Sequence, residues 1–394
     1  MAVTPLVGSK RGSGNENGAI QIGGQALSLS IILGTLLSCI LLIYHKELLH
    51  VMGTHIAGEE AERYAIDFLL VRALAAPAVL IISASTGILR GYLDTSTPIY
   101  ILLFANVINL CIDFMLIPSY GPRGAAIATT TAEYISAITF LQILNGKLPS
   151  SDRKLGSNQT NEDFIIISPL LSIPKWKDVK PLIIASSSLL IRSLFLQLSL
   201  SCATALATRA GASFIAAHMI GIQLWMLCCM IADALEAAAQ ALISDAIGRN
   251  DINDVRNITH VIFYYAFMLG IFLAILLGIG TQTGFLIHLF TFDKSIQERL
   301  SSILYIIILS QPMNTLVFAS DGVLQGASEF SYQAKAMAVS ALGSCGFYIL
   351  TSFGAQFGNE LVHIWLSLVT LQIVRGLSSL YKLMDEDGNI YLFG

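Results

Sequence analysis

The chain has 394 residues, of which 55% are hydrophobic and only 12% charged, and its mean hydropathy is +0.70; soluble domains carry charge on about a quarter of their residues. The formal net charge of −4 offers no basic face for nucleic acid, and the six cysteines lack the CxxC spacing of a metal or redox site, so they read as small core residues. What remains is a polytopic membrane protein.

The first residues carry the polar run "GSKRGSGNENG" where a signal peptide has a short charged leader, so no cleavable signal is expected. Apolar stretches of spanning length follow at 22–45, 66–89, 98–118, 124–146, 181–208, 213–244, 258–290, 301–325, 333–354 and 361–382, judged by the need for about 20 apolar residues. Nothing alternates as barrel strands do, and backbone in lipid must satisfy itself internally, so these are expected to be ten helices of an all-α fold. The polar stretch Asn145 to Lys180, "NGKLPSSDRKLGSNQTNEDFIIISPLLSIPKWKDVK", divides four helices from six. The expected organisation is an N-terminal bundle at 1–147, a linker at 148–180, a six-helix bundle at 181–382 and a tail at 383–394. Lys and Arg concentrate in the N-terminal segment, the linker and the loops on that side, Arg375 counted among them, which places the linker in the cytoplasm or its topological equivalent. The glycosylation triplets at Asn158 and Asn257 then face the wrong compartment.

The chain repeats itself at a shift of 235 to 236 residues. "GILRGYLDTSTPIY" from Gly87 pairs with "GVLQGASEFSYQAK" from Gly322, and "VTPLVGSKRGSGN" from Val3 pairs with "AQALISDAIGRND" from Ala239. An even number of helices separates the copies, so two parallel bundles are expected. Met1 then corresponds to a point near Ala237, and the first bundle is expected to lack nearly two helices of an intact twelve.

Charges inside apolar spans cost about 2.5–3.5 kcal/mol on insertion scales, so each needs a partner or a wet cavity. The candidates are Arg72, Asp113, Glu133, Arg192, Asp233, Glu236 and Asp321. "NVINLCIDF" puts Asn106, Asn109 and Asp113 at i, i+3 and i+7, one face of one helix, where amides share a proton or cation with the carboxylate. The competing reading is that these groups only hold helices together. "IADALEAAAQAL" places Asp233, Glu236 and Gln240 on one side of the next bundle's second helix, while Arg192 and Gln197 sit mid-span in its first. A carboxylate facing Arg192 is equally well read as one neutralised pair. GxxxG at Gly87/Gly91 and Gly322/Gly326 favours close helix packing, "DTSTP" reads as a tight turn, and a lone His218 reads as a packing partner. Neither HExxH, GxSxG nor a Walker loop occurs, so no catalytic residue, resident metal or cofactor is expected.

"VRALAAPAVLIISASTGILRGYLDTSTPIY", "NVINLCIDFMLI" and "GPRGAAIATTTAEY", followed by "ADALEAAAQAL" and "SDGVLQGASEFSY", resemble the multidrug and toxic compound extrusion (MATE) family of antiporters, in its DinF-like branch. The resemblance covers essentially the whole chain. It implies a V-shaped, two-bundle monomeric transporter in the bilayer that exports small organic molecules in exchange for H⁺ or Na⁺ by alternating access. It also implies a cation site using Asn109 and Asp113 with Thr131 nearby, to which the helix face adds Asn106. The substrate-cavity set is Arg192, Gln197, Asp233, Gln240 and Asp321, whereas Glu133 and Glu236 depart from the family pattern. The alternatives are a flippase for lipid-linked precursors within the same superfamily, and a shortened, inactive chain.

Overall fold

The computed structural model describes residues 2–51, 58–146, 148–149, 164–169, 176–354 and 360–385. The chain divides into two compact units, Val3–Leu182 and Ile183–Gly394. Among the described residues nine helices are long and apolar enough to cross a bilayer, and a bent pair makes a tenth span. Large apolar side chains point outward along these helices, among them Phe114, Met115, Leu309 and Leu350, as a lipid-facing surface requires.

In the first unit the elements are α1 (Val3–Gly12), α2 (Glu16–Ile43), α3 (His45–Val51), α4 (Glu59–Leu74), α5 (Ala76–Gly91), α6 (Ser96–Tyr120) and α7 (Pro122–Leu144). Asn15 caps α2, its side chain accepting from Gly18 N–H at 2.9 Å, so the helix begins six residues before the apolar run at 22. Helices α4 and α5 form the bent pair, turning by 47° at Ala75. Pro77 has no N–H to continue the ladder there, and Tyr134 Oη on α7 donates to the Leu74 carbonyl at 2.8 Å. Part of the expected linker is ordered against this unit. Strands β1 (Leu148–Pro149) and β2 (Phe164–Ile165) pair antiparallel, Ile167 N–H donates to Leu144 O at 2.8 Å, and the buried Ile167 side chain packs where Gly23 has no Cβ. The rest of the linker, and the tail beyond 385, lie outside the described residues.

The second unit contains α8 (Trp176–Ala210, the unit taking it from Ile183), α9 (Ala212–Gly248), α10 (Ile252–Gln282), α11 (Phe285–Phe290), α12 (Lys294–Gly326), α13 (Phe330–Gly354) and α14 (Glu360–Leu383). The stretch expected as one span at 258–290 is instead two helices. Gly284 adopts φ +70°, a left-handed conformation that glycine takes without a Cβ clash, and α11 starts anew after it. The core here packs Leu300, Ile303, Leu304 and Ile307 of α12 against Leu273 and Trp365. His218 is buried edge-on to Trp365 with ring centroids 5.8 Å apart, a packing role.

The internal repeat is present at the level of individual contacts. Leu93 and Ser328 both have positive φ, and each corner carries the same three backbone bonds, with Asp94 N–H to Leu89 O matched by Glu329 N–H to Leu324 O. Asn15 and Asp251 cap equivalent helices. A Cβ on Gly34 would meet the backbone of Pro77, and one on Gly270 would meet Pro312. Gly87 and Gly91 lie against Val3 and Val7 of α1, while Gly322 and Gly326 lie against Glu236, Ala239 and Ile243 of α9. Small residues at this spacing let backbones approach where lipid offers no hydrophobic drive to associate.

Gly326→Val is therefore expected to force α9 and α12 apart and to cost about 1–3 kcal/mol as an overpacking change. Gly278→Ala, which meets nothing within 4 Å, is the control. Thermal unfolding of the detergent-purified variants checks this, and an unchanged Tm for Gly326→Val refutes the close contact.

Candidate functional site

Each unit handles its intramembrane charges differently. In the first, the guanidinium of Arg72 on α4 forms a bidentate pair with Glu133 on α7, Nη1 to Oε2 at 2.6 Å and Nη2 to Oε1 at 2.9 Å. A two-pronged pair of this kind neutralises both charges and fixes their planes.

One face of α6 carries the second polar group. The neighbours of Asn109 set its amide orientation: Nδ2 donates to Asp113 Oδ2 at 2.7 Å, and Oδ1 accepts from the backbone N–H and hydroxyl of Thr129 on α7, at 3.0 and 3.1 Å. The other carboxylate oxygen, Asp113 Oδ1, is buried without a protein partner. Asn106 lies exposed one turn away and lines a cavity of about 280 Å³ with Asn109, Thr129, Glu133, Ser83 and Ser136. Thr131, expected beside this group, is not there: two positions from Thr129 it points around the helix, exposed, its hydroxyl bonded to Ile127 O at 2.7 Å. Thr129 takes that place.

In the second unit Asp321 on α12, 2% exposed, is the centre of a buried cluster. Arg192 Nη2 of α8 reaches its Oδ2 at 2.6 Å, Arg375 of α14 pairs with the same oxygen, and Gln333 Nε2 of α13 donates to Oδ1 at 3.2 Å. Glu236 on α9 accepts from Gln325 Nε2 and has Arg192 Nη1 at 3.8 Å; Gln240 Nε2 donates to Gln325 Oε1 at 3.1 Å. Gln372 Oε1 accepts from Arg375 Nη1 at 3.2 Å, and Phe318 lies under the Arg375 guanidinium at 5.2 Å. Two guanidiniums thus face two buried carboxylates. Solitary charges in this setting would cost several kcal/mol each.

The expected set is only partly assembled here. Arg192, Asp321 and Gln240 join the cluster; Asp233 is exposed on α9, and Glu236, one turn on and outside the expected set, has Arg192 Nη1 at 3.8 Å. Gln197 is exposed on α8, about 140° around the helix from Arg192. Arg375, counted as a loop cation, is buried within α14. Gln325 was missed, although its i+4 spacing from Asp321 on one helix face could have found it; Gln333, Gln372 and Arg375 carried no sequence signal that separates them from helix ends.

A family model described as MatE matches residues 1–115 and 189–347, and the chain belongs to the MatE family. It is a multi-pass integral membrane protein. Its relatives include Protein DETOXIFICATION 45, chloroplastic, of Arabidopsis thaliana, 29% identical over 92% of this chain and 60% of that protein. DNA damage-inducible protein F of Escherichia coli is 24% identical over 96% of this chain and 78% of the relative. The chain spans about 60% of the length of the first of these. The fold is shared with a MATE crystal structure in the bent conformation, at TM-score 0.82 and 19% identity over 96% of this chain and 81% of that one. An outward-facing multidrug resistance MATE transporter of the MOP superfamily has TM-score 0.80 and 19% identity, over the same shares.

A double-mutant cycle on Arg192→Leu and Asp321→Leu checks the cluster. Each single change strands buried charge and is expected to cost about 3–5 kcal/mol, with the double costing less than the sum. Additive losses in Tm refute the pairing.

Proposed function

We propose that the protein is a secondary active antiporter that exports small organic molecules in exchange for H⁺, with Asp113 as the group that takes up and releases the proton. The observation that carries this reading is the half-satisfied Asp113, whose Oδ2 is held by Asn109 while the buried Oδ1 lacks a protein partner. In an apolar span the ionised form of such a group needs a cation or water, and the neutral form does not. Protonation therefore changes which packing of the helix face is favoured, and the ion and the substrate select opposite states of the protein. The family membership and the relatives named for detoxification and multidrug resistance support the substrate class.

H⁺ is preferred over Na⁺ because of the way the Asn109 amide turns. It presents its NH2 group to Asp113 and its carbonyl to Thr129, so this amide offers the carboxylate a donor and not the oxygen ligand that a hard cation gathers.

The test uses the purified protein in vesicles with an imposed pH or Na⁺ gradient and ethidium as the transported probe. Efflux driven by the pH gradient is expected, with Asp113→Asn reducing it to background while Tm stays at the wild-type value. Undiminished flux in Asp113→Asn overturns the assignment, and flux driven by Na⁺ alone overturns the choice of ion.

A further inference from the structure

Of the side-chain polar atoms buried without a hydrogen-bond partner in the second unit, four belong to side chains around one cavity. Asn314 Nδ2 and Oδ1, Trp365 Nε1 and Gln372 Nε2 come from residues each 3% exposed. Asn314 on α12 and Trp365 and Gln372 on α14 all line a cavity of about 20 Å³, to which Trp225 of α9 and Leu200 of α8 also contribute. Ser310 also lines it; its hydroxyl donates to Ile307 O at 2.9 Å and keeps its lone pairs free to accept.

An unsatisfied buried donor or acceptor costs about 1–3 kcal/mol, so four around one cavity require an occupant. An occupant here accepts from two of the three N–H groups, those of Trp365 and Gln372, and donates to Asn314 Oδ1. An anion has no proton to donate, and a metal cation cannot accept from an N–H. Water does both, typically makes two to four hydrogen bonds, and needs roughly 10–15 Å³.

We infer that Ser310, Asn314, Trp365 and Gln372 form a binding site for one internal water, and that this water sets the orientation of the amide that supports the ionic cluster. With its NH2 group on the water, Gln372 turns its carbonyl oxygen to Arg375 Nη1 at 3.2 Å, and Arg375 pairs with Asp321. The site is therefore the hydrated end of a chain running from the cavity through Gln372 and Arg375 to Asp321. It is independent of the assignment at Asp113, which lies in the other unit.

Radiolytic hydroxyl labelling of the wild-type protein in detergent tests it, because a bound water generates the radical next to its neighbours. Leu371 lines the cavity and is 2% exposed, and Leu304 is equally buried, at 0%, in the apolar core. Leu371 is expected to be labelled several-fold faster than Leu304; equal rates overturn the site. Asn314→Leu gives a second readout. With a water bound, it strands the Trp365 and Gln372 donors, lowers Tm and removes the excess labelling of Leu371. With none bound, it removes an unsatisfied amide and raises Tm, which also overturns the site. Should Asn314→Leu fail to fold, the wild-type labelling decides alone.

Discussion

Asp321 is where the second unit is tied together. A carboxylate in an apolar span is costly alone, and helices in lipid gain nothing from hydrophobic association, so the groups that satisfy it also decide which helices touch. Arg192, Gln333 and Arg375 bring α8, α13 and α14 to α12 at one point. The next residue, Gly322, has no side chain, which lets the α9 backbone at Glu236 press directly against α12. Close packing and charge compensation thus occur at the same turn. Either one without the other would leave Glu236 out of reach of Arg192 and Gln325.

The first unit repeats the backbone of this arrangement with different chemistry. Thr86 stands where the second copy has Asp321, Thr4 where it has Gln240, and Arg90 where it has Gln325. The glycine contacts, the capped helix starts and the left-handed corner residues recur. Among the described residues the buried carboxylate–guanidinium cluster is seen at that turn of the second copy. In the other, the mid-span acids lie on α6 and α7, where Glu133 is cancelled by Arg72 of α4 and Asp113 leans on an amide. The scaffold is specified by small residues and turns, and the polar positions are then free to diverge between the copies.

This division explains which features were legible in the sequence. Spans and the repeat follow from apolar runs and from glycines at a fixed offset, and both depend on residues close in sequence. Helix starts were placed late because polar first turns, such as Glu16 to Gln21, continue a helix once Asn15 caps it. The site was legible only as a set of candidate faces. Asp233 and Glu236 are one turn apart on α9, and only the position of α8 brings the buried Glu236 to Arg192. Thr129 and Thr131 pose the same problem on α7, where the register against α6 selects Thr129. Arg375 resembled a loop cation because it lies near the end of an apolar run, and its partner Asp321 is far away in sequence.

The degree of saturation separates the two buried aspartates more sharply than their positions do. Asp321 has both oxygens engaged, by two guanidiniums and a glutamine, so removing or adding a proton there disturbs contacts to three helices at once. Such a group resists change and suits a fixed joint. Asp113 has one oxygen held and one unpartnered, and its hydrogen bond among the described residues runs through a single amide to a neighbouring helix. A proton on its unpartnered oxygen breaks no hydrogen bond, while the charge it removes alters the cost of exposing that face of α6 to lipid or to the cavity beside Asn106. Exchange chemistry belongs where satisfaction is incomplete, and mechanical constraint belongs where it is complete.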